Sequence, residues 1–237
     1  MLITQTHAVQ VVVTFYRYET KMKLSNILNY LNLKMNKVSN RGLYAGGAQT
    51  NINGKRFESK TSMIEKLTSE HNWDICKISI PNGKLSYVSK KFEHKTIFHV
   101  KQYDFKKFMK NRYNVTIEKN PDEAYIIEHD CGDFDVKIVE MKNQNCDGSV
   151  EEKLLLGSFW KEYYGCRLNA NNMGVKFKID FSFCASSFLK EKLNRNTDHY
   201  TSIRHLLKKH NIELFYGEDS DYFERIYDWI LRDIPLV

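Results

Sequence analysis

The chain has 237 residues, 42% hydrophobic and 13% aromatic, enough to bury one large core or two small ones. Lys and Arg outnumber Asp and Glu by 36 to 29, a formal charge of +7 that favours polyanionic partners or an anionic surface. The five cysteines, Cys76, Cys131, Cys146, Cys166 and Cys184, are odd in number, far apart and without C-x-x-C or zinc-knuckle spacing, so they read as free thiols in a reducing compartment such as the cytoplasm. The opening MLITQTHAVQVVVTFYRYETK holds an apolar stretch too short for a bilayer and lacks the basic n-region and cleavage site of a signal peptide, which argues against membrane insertion and secretion.

In chain order, residues 24–35 place Leu24, Ile27, Leu28, Leu31 and Met35 on one face of a helix. Because this helix closely follows Met22, residues 1–21 are expected to be a non-essential extension and 22–237 a single domain. Residues 39–54 read as a polar, glycine-bearing loop. It fails as a phosphate loop: Gly47 and Gly54 enclose six residues where a Walker A motif has four, and Arg56 follows Lys55 where Ser or Thr is needed. Residues 55–71 read as a helix with Phe57, Ile64 and Leu67 on its buried side, and 73–80 as a strand ended by Pro81, Asn82 and Gly83. The middle is strand-rich. A strand at 95–100, a short basic helix at 105–112 and strands at 124–128 and 135–141 around a turn at 129–133 predict a mixed α/β domain with a central sheet flanked by helices. Ser149 and Glu152 have capping-box spacing and start a further helix; RLNANNMGVKFK, at 167–178, is a polar loop leading into a strand.

The stretch VKIVEMKNQ, at 136–144, joins an apolar strand to chemistry. Side chains alternate along a strand, so Glu140 and Lys142 share the face of Val136 and Ile138, the expected buried side. With the turn centred between Cys131 and Gly132, antiparallel partners have numbers summing to about 263, which sets Asp122 opposite Met141 and beside both Glu140 and Lys142. Two carboxylates and a lysine so arranged form a hard-oxygen site of the kind that suits Mg²⁺ and phosphodiester chemistry. Asp133 and Asp135 compete with Asp122 for the first position, but Asp133 belongs to the turn and Asp135 starts on the opposite face from Glu140.

Pro121-Asp122, followed by Glu140-Met141-Lys142, resembles the PD-(D/E)xK nuclease signature, and the continuation KNQ, then GSVEEKL at 148–154, is similar to a group of type II restriction endonucleases. GGAQTNINGKRFE (46–58), FKIDFSFCASSFLKEKL (177–193) and IELFYGEDSDYFERIYDWI (212–230) resemble the loop and first helix, later strands and C-terminal helix of such enzymes. The likeness spans residues 41–230, and its specific part is 122–153.

What the resemblance implies is a restriction-endonuclease-like core that cuts double-stranded DNA at a short palindrome with one or two Mg²⁺ ions, as a homodimer, with a cognate DNA methyltransferase in the same system. Asp122 and Glu140 would bind the metal, with Glu58 as a further acidic ligand, and Lys142 would orient or help to deprotonate the attacking water. Gln144 would hold a ligand or touch DNA, and Lys153 would meet a phosphate. Arg41, Lys55 and Arg56 are placed to approach the DNA backbone, while Asn169, Asn171, Asn172 and Lys176 carry side chains suited to base or phosphate contact. Two alternatives stay open: a structure-specific repair or recombination nuclease with the same core, and a catalytically silent DNA-binding protein.

Overall fold

The computed structural model describes residues 47–81, 83–144, 150–170 and 175–234, and the predicted helix at 24–35, the extension at 1–21 and Cys146 lie outside them. Seven strands form one sheet in chain order: β1 (Asp74–Ile80), β2 (Gly83–Lys91), β3 (Lys95–Lys101), β4 (Glu123–His129), β5 (Phe134–Lys142), β6 (Phe177–Ala185) and β7 (Ile212–Tyr216). The first five run antiparallel as a meander, and β5, β6 and β7 are mutually parallel. Parallel neighbours need crossover connections. These are α4 (Val150–Leu154) with α5 (Gly157–Leu168), and then α6 (Ser187–Leu193) with α7 (Asp198–Lys209). The remaining helices among the described residues are α1 (Gly47–Thr61), α2 (Ile64–Ser69), α3 (Gln102–Tyr113) and α8 (Tyr222–Leu231).

The sheet is covered on both faces. On one, Val136 and Ile138 of β5 pack with Phe105 and Phe108 of α3, Tyr164 and Leu168 of α5, and Ile203 and Leu207 of α7. On the other, Val139 and Met141 pack with Phe57 of α1, Leu67 of α2 and Tyr222, Ile226 and Trp229 of α8. β5 is therefore buried on both faces, where the sequence reading took one face as buried; an apolar run without strict alternation is what a central strand requires. Each buried aliphatic or aromatic side chain contributes roughly 1.5–3 kcal/mol, and this two-sided burial fixes the strand that ends in Glu140 and Lys142.

Four local readings change. The loop expected at 39–54 is helical from Gly47 onward, so the helix that carries Lys55 and Arg56 starts earlier than expected. Gly54 and the asparagines are weak helix formers, but buried Phe57 and the Asn143 Nδ2 hydrogen bond to Asn53 O (3.0 Å) outweigh propensity. The helix expected over 55–71 breaks into α1 and α2 at Ser62 and Met63, because Ser62 turns inward and donates to Glu123 Oε1 (2.6 Å). β2 was not anticipated, since its buried residues Leu85 and Val88 are three apart and serve opposite faces. The polar loop predicted from residue 167 starts only after α5 ends at Leu168.

Candidate active site

The β4–β5 ladder runs from Glu123↔Val139 to Glu128↔Phe134, a constant sum of 262, one less than the sequence reading. The turn closes on Cys131, with Gly132 at φ +92° donating its N–H to His129 O (2.9 Å). Continued by one residue, this ladder sets Asp122 across from Glu140, where Met141 had been expected. The juxtaposition survives the shift: Met141 donates its backbone N–H to Asp122 Oδ2 (2.7 Å), and Lys142 Nζ donates to Glu140 Oε2 (2.8 Å). Glu58, on α1, is close enough for its charge to be felt by Asp122 and to feel Lys142 and Glu140.

Electrostatics mark the cluster as crowded with negative charge. Burial, then the neighbouring Glu140 carboxylate, push the Asp122 carboxyl up to about 6, against the pull of Lys142 and the Met141 N–H. Burial raises Glu58 as well, while Lys142 and Lys55 lower it and Glu140 raises it. The Tyr164 hydroxyl, fully buried and without a hydrogen-bond partner among the described residues, is held un-ionised by burial and by the charges of Glu140 and Asp122.

Sequence reasoning missed Lys119. Its ammonium lies 3.3 Å from Glu140 Oε1, and 4.6 Å from the centre of the Trp160 ring on α5. Glu140 is thus held by one lysine on each oxygen. Lys119 stands three residues before Asp122 in a stretch with no periodicity, so only its place in K-N-P-D could have singled it out.

No protein-family model, curated protein or solved structure matches this chain. The site is therefore read on its own residues. Among the described residues no three His, Cys, Asp or Glu side chains already converge as a metal-holding group. The donor chemistry nevertheless fits a hard divalent cation: Asp122 and Glu140 share one sheet end with Glu58 brought near from α1, burial and then neighbouring charge raise the Asp122 carboxyl, and a buried hydroxyl lacks a partner among the described residues. Asp122, Glu140 and Glu58 are the residues that would hold it, once the lysines release Glu140.

The other predicted residues fall in different places. Gln144 is buried, its backbone N–H donating to Ser186 Oγ (3.2 Å) while Ser186 Oγ donates to Gln144 O (2.8 Å). Lys55 and Arg56 are exposed on α1, and Lys153 is exposed on α4; Ser149 of the predicted capping box lies outside the described residues. Asn169 braces its own loop: Nδ2 donates to Gly165 O and Phe177 O, and Oδ1 accepts from Phe177 N. Lys176 precedes Phe177, which pairs with Phe134 at the opposite end of β5 from Lys142, roughly 26 Å away at about 3.3 Å per residue. Arg41, Asn171 and Asn172 lie outside the described residues. Asp133 is exposed and paired with Lys178, and buried Asp135 meets His129 (3.0 Å), so neither joins the cluster. Cys76, Cys131, Cys166 and Cys184 are free. No helix among the described residues is long and apolar enough to cross a membrane.

Proposed function

We propose that the chain is a Mg²⁺-dependent type II restriction endonuclease with a PD-(D/E)xK, restriction-endonuclease-like core, hydrolysing double-stranded DNA at a short palindrome. The observation that carries this reading is the convergence of Asp122, Glu140 and Lys142 at one end of adjacent strands, with Glu58 brought in from α1. The match in the sequence between Pro121-Asp122, Glu140-Met141-Lys142 and the nuclease signature supports it, as does the basic charge, which suits a polyanion.

Magnesium, when bound, supplies Lewis-acid charge opposite the phosphate oxygens and lowers the pKa of its water. The chain's own residues do the rest. Asp122 and Glu140 present hard oxygens to the cation, and Glu58 adds a third carboxylate. Lys142, relieved of Glu140, would orient the attacking water and, once it has given its own proton to solvent, would take the proton that the water loses, so that attack proceeds in line with the leaving 3′-oxygen. Exposed Lys55, Arg56 and Lys153 contact backbone phosphates, which fix register without reading sequence. One such site cuts one strand, so concerted cleavage of a palindrome calls for a homodimer on the duplex; a cognate methyltransferase would protect the host's own sites in the cytoplasm.

Incubating the purified chain with Mg²⁺ and a fully sequenced linear duplex tests this. Discrete fragments whose ends all map to one short palindrome are expected. Cutting confined to branches, flaps or nicks would replace restriction with a structure-specific nuclease, and footprinted binding without cutting under any divalent metal would replace it with a silent DNA-binding protein.

A further inference from the structure

Glu140 is the most heavily engaged carboxylate of the site. Lys142 Nζ sits 2.8 Å from Oε2, and Lys119 Nζ 3.3 Å from Oε1. The two lysines differ in how they are held. Lys142 belongs to the same strand as Glu140 and lies 5.9 Å from the centre of the Phe183 ring. Lys119 comes from the segment between α3 and β4, and its ammonium lies 4.6 Å from the centre of the Trp160 ring, a cation–π contact from the crossover helix α5. The Lys119 side chain is about one-third exposed and the Glu140 side chain less than one-tenth, so the ammonium can leave towards solvent while the carboxylate stays.

Burying Glu140 without a counter-charge would be unfavourable, and its neighbours Asp122 and Glu58 are carboxylates too. Three carboxylates therefore gather here, with the ammonium groups of Lys119 and Lys142 on Glu140 and exposed Lys55 near Glu58. A divalent cation at the same oxygens supplies positive charge in place of an ammonium, but it cannot share Glu140 Oε1 with one, since like charges at such separations repel.

We infer that Lys119 is a positioning residue that occupies the cation's place on Glu140, holding the carboxylate oriented in the metal-free chain and giving it up when a divalent cation binds. This rests on the reading of Asp122, Glu140 and Glu58 as cation ligands. Its consequence is an exchange: a bound cation must displace the Lys119 ammonium, so Lys119 helps to set the concentration at which the site fills. Trp160 keeps the displaced lysine nearby, ready to return when the cation leaves.

The test is calorimetric titration of the full chain with Ca²⁺ alone, in wild type, Lys119→Met, Lys119→Arg and Glu140→Gln, with circular dichroism to check folding. Methionine keeps the unbranched stem against Trp160 and removes the charge; arginine keeps the charge. Lys119→Met is expected to bind Ca²⁺ about tenfold more tightly than wild type, Lys119→Arg to stay within about twofold, and Glu140→Gln to bind far more weakly. A purely structural role for Lys119 would weaken binding in Lys119→Met, so equal or weaker affinity there, with wild type binding and Glu140→Gln not, would overturn the exchange and leave the nuclease reading intact. Absence of Ca²⁺ binding in wild type and Lys119→Met alike would overturn both. If Lys119→Met does not fold, Lys119→Gln gives the same comparison.

Discussion

The backbone N–H of Met141 donates to Asp122 Oδ2 at 2.7 Å, so the first carboxylate of the site is held by the strand that carries the second carboxylate and the lysine. That single bond makes the spacing between Asp122 and Glu140 a property of the hairpin rather than of a loop. It also keeps Asp122 where its charge is costly, because burial and Glu140 raise its carboxyl to about 6.

Replacing Asp122 with Asn should therefore stabilise the metal-free protein at pH 8. The folded-state value lies above the ordinary aspartate value of 3.8, so the unfolded chain gives up this proton first as pH rises. The resulting penalty accumulates between about pH 4 and 6 and stays constant above. Asparagine keeps an oxygen for the Met141 N–H and carries no charge. In chelator, Asp122→Asn should be more stable than wild type by ~2 kcal/mol at pH 8, allowing for partial exposure, and equal to it at pH 4. Urea unfolding at the two pH values measures this; a variant less stable than wild type at pH 8 would remove the charge crowding.

Next to Asp122, the fully buried Glu123 accepts hydrogen bonds from Ser62 Oγ (2.6 Å) and Tyr125 (3.0 Å) and faces His99 Nε2 at 3.2 Å. Burial alone would raise its carboxyl, but His99 and Ser62 pull it below the usual value. It therefore contributes stability above the ordinary carboxylate range, and that contribution is lost as pH falls through the depressed value. His99→Ala strands the buried charge and should cost about 2–4 kcal/mol at pH 7.5, with a smaller deficit once Glu123 is protonated in the variant near pH 4. An unchanged urea midpoint at pH 7.5 would show that Ser62 and Tyr125 suffice.

A glycine fixes how closely the sheet approaches α1. A Cβ at Gly217 would sit 2.3 Å from Thr61 Cγ2 and 3.1 Å from both Cys184 Sγ and Phe57 Cζ. Gly217→Ala should cost about 1–3 kcal/mol and push away the end of the helix that carries Glu58. A lowered melting temperature and reduced DNA cleavage are expected; a variant with wild-type melting would show that α1 moves freely there.

The sequence made the strand pair of the candidate site legible and left its surroundings obscure, for identifiable reasons. The runs that became β4 and β5 are long, apolar and punctuated by His129 to Asp133, so the hairpin could be drawn in advance. Its register slid by one because the residue on which a turn centres depends on backbone angles such as the positive φ of Gly132, which composition does not reveal. Asp122 stayed in place because the β4–β5 hairpin brings that strand end beside residues 140–142 in either register. The start of α1 was hidden because Gly54 and its asparagines argue for a loop, and only packing of Phe57 overrules them. Lys119 was hidden for a related reason: a lysine two residues before a proline carries no periodic mark, and its partners Glu140 and Trp160 are 21 and 41 positions away in the chain. Asn169 misled in the opposite sense, since an amide suited to reading a base is equally suited to closing its own loop.

Hydrolysis of end-labelled duplex DNA by the purified chain, with Mg²⁺ or with chelator, and by Glu140→Gln and Lys142→Met prepared alongside it, tests the central claim most directly. Cation affinity and water orientation act chiefly on the transition state, so turnover should fall by at least about a hundredfold in each variant while DNA affinity stays within roughly threefold of wild type. Cleavage by the wild type that needs Mg²⁺ and disappears in both variants is the predicted result. Cleavage that persists in chelator, or that either variant carries out at the wild-type rate, would contradict the assignment of Asp122, Glu140 and Lys142 as the catalytic site.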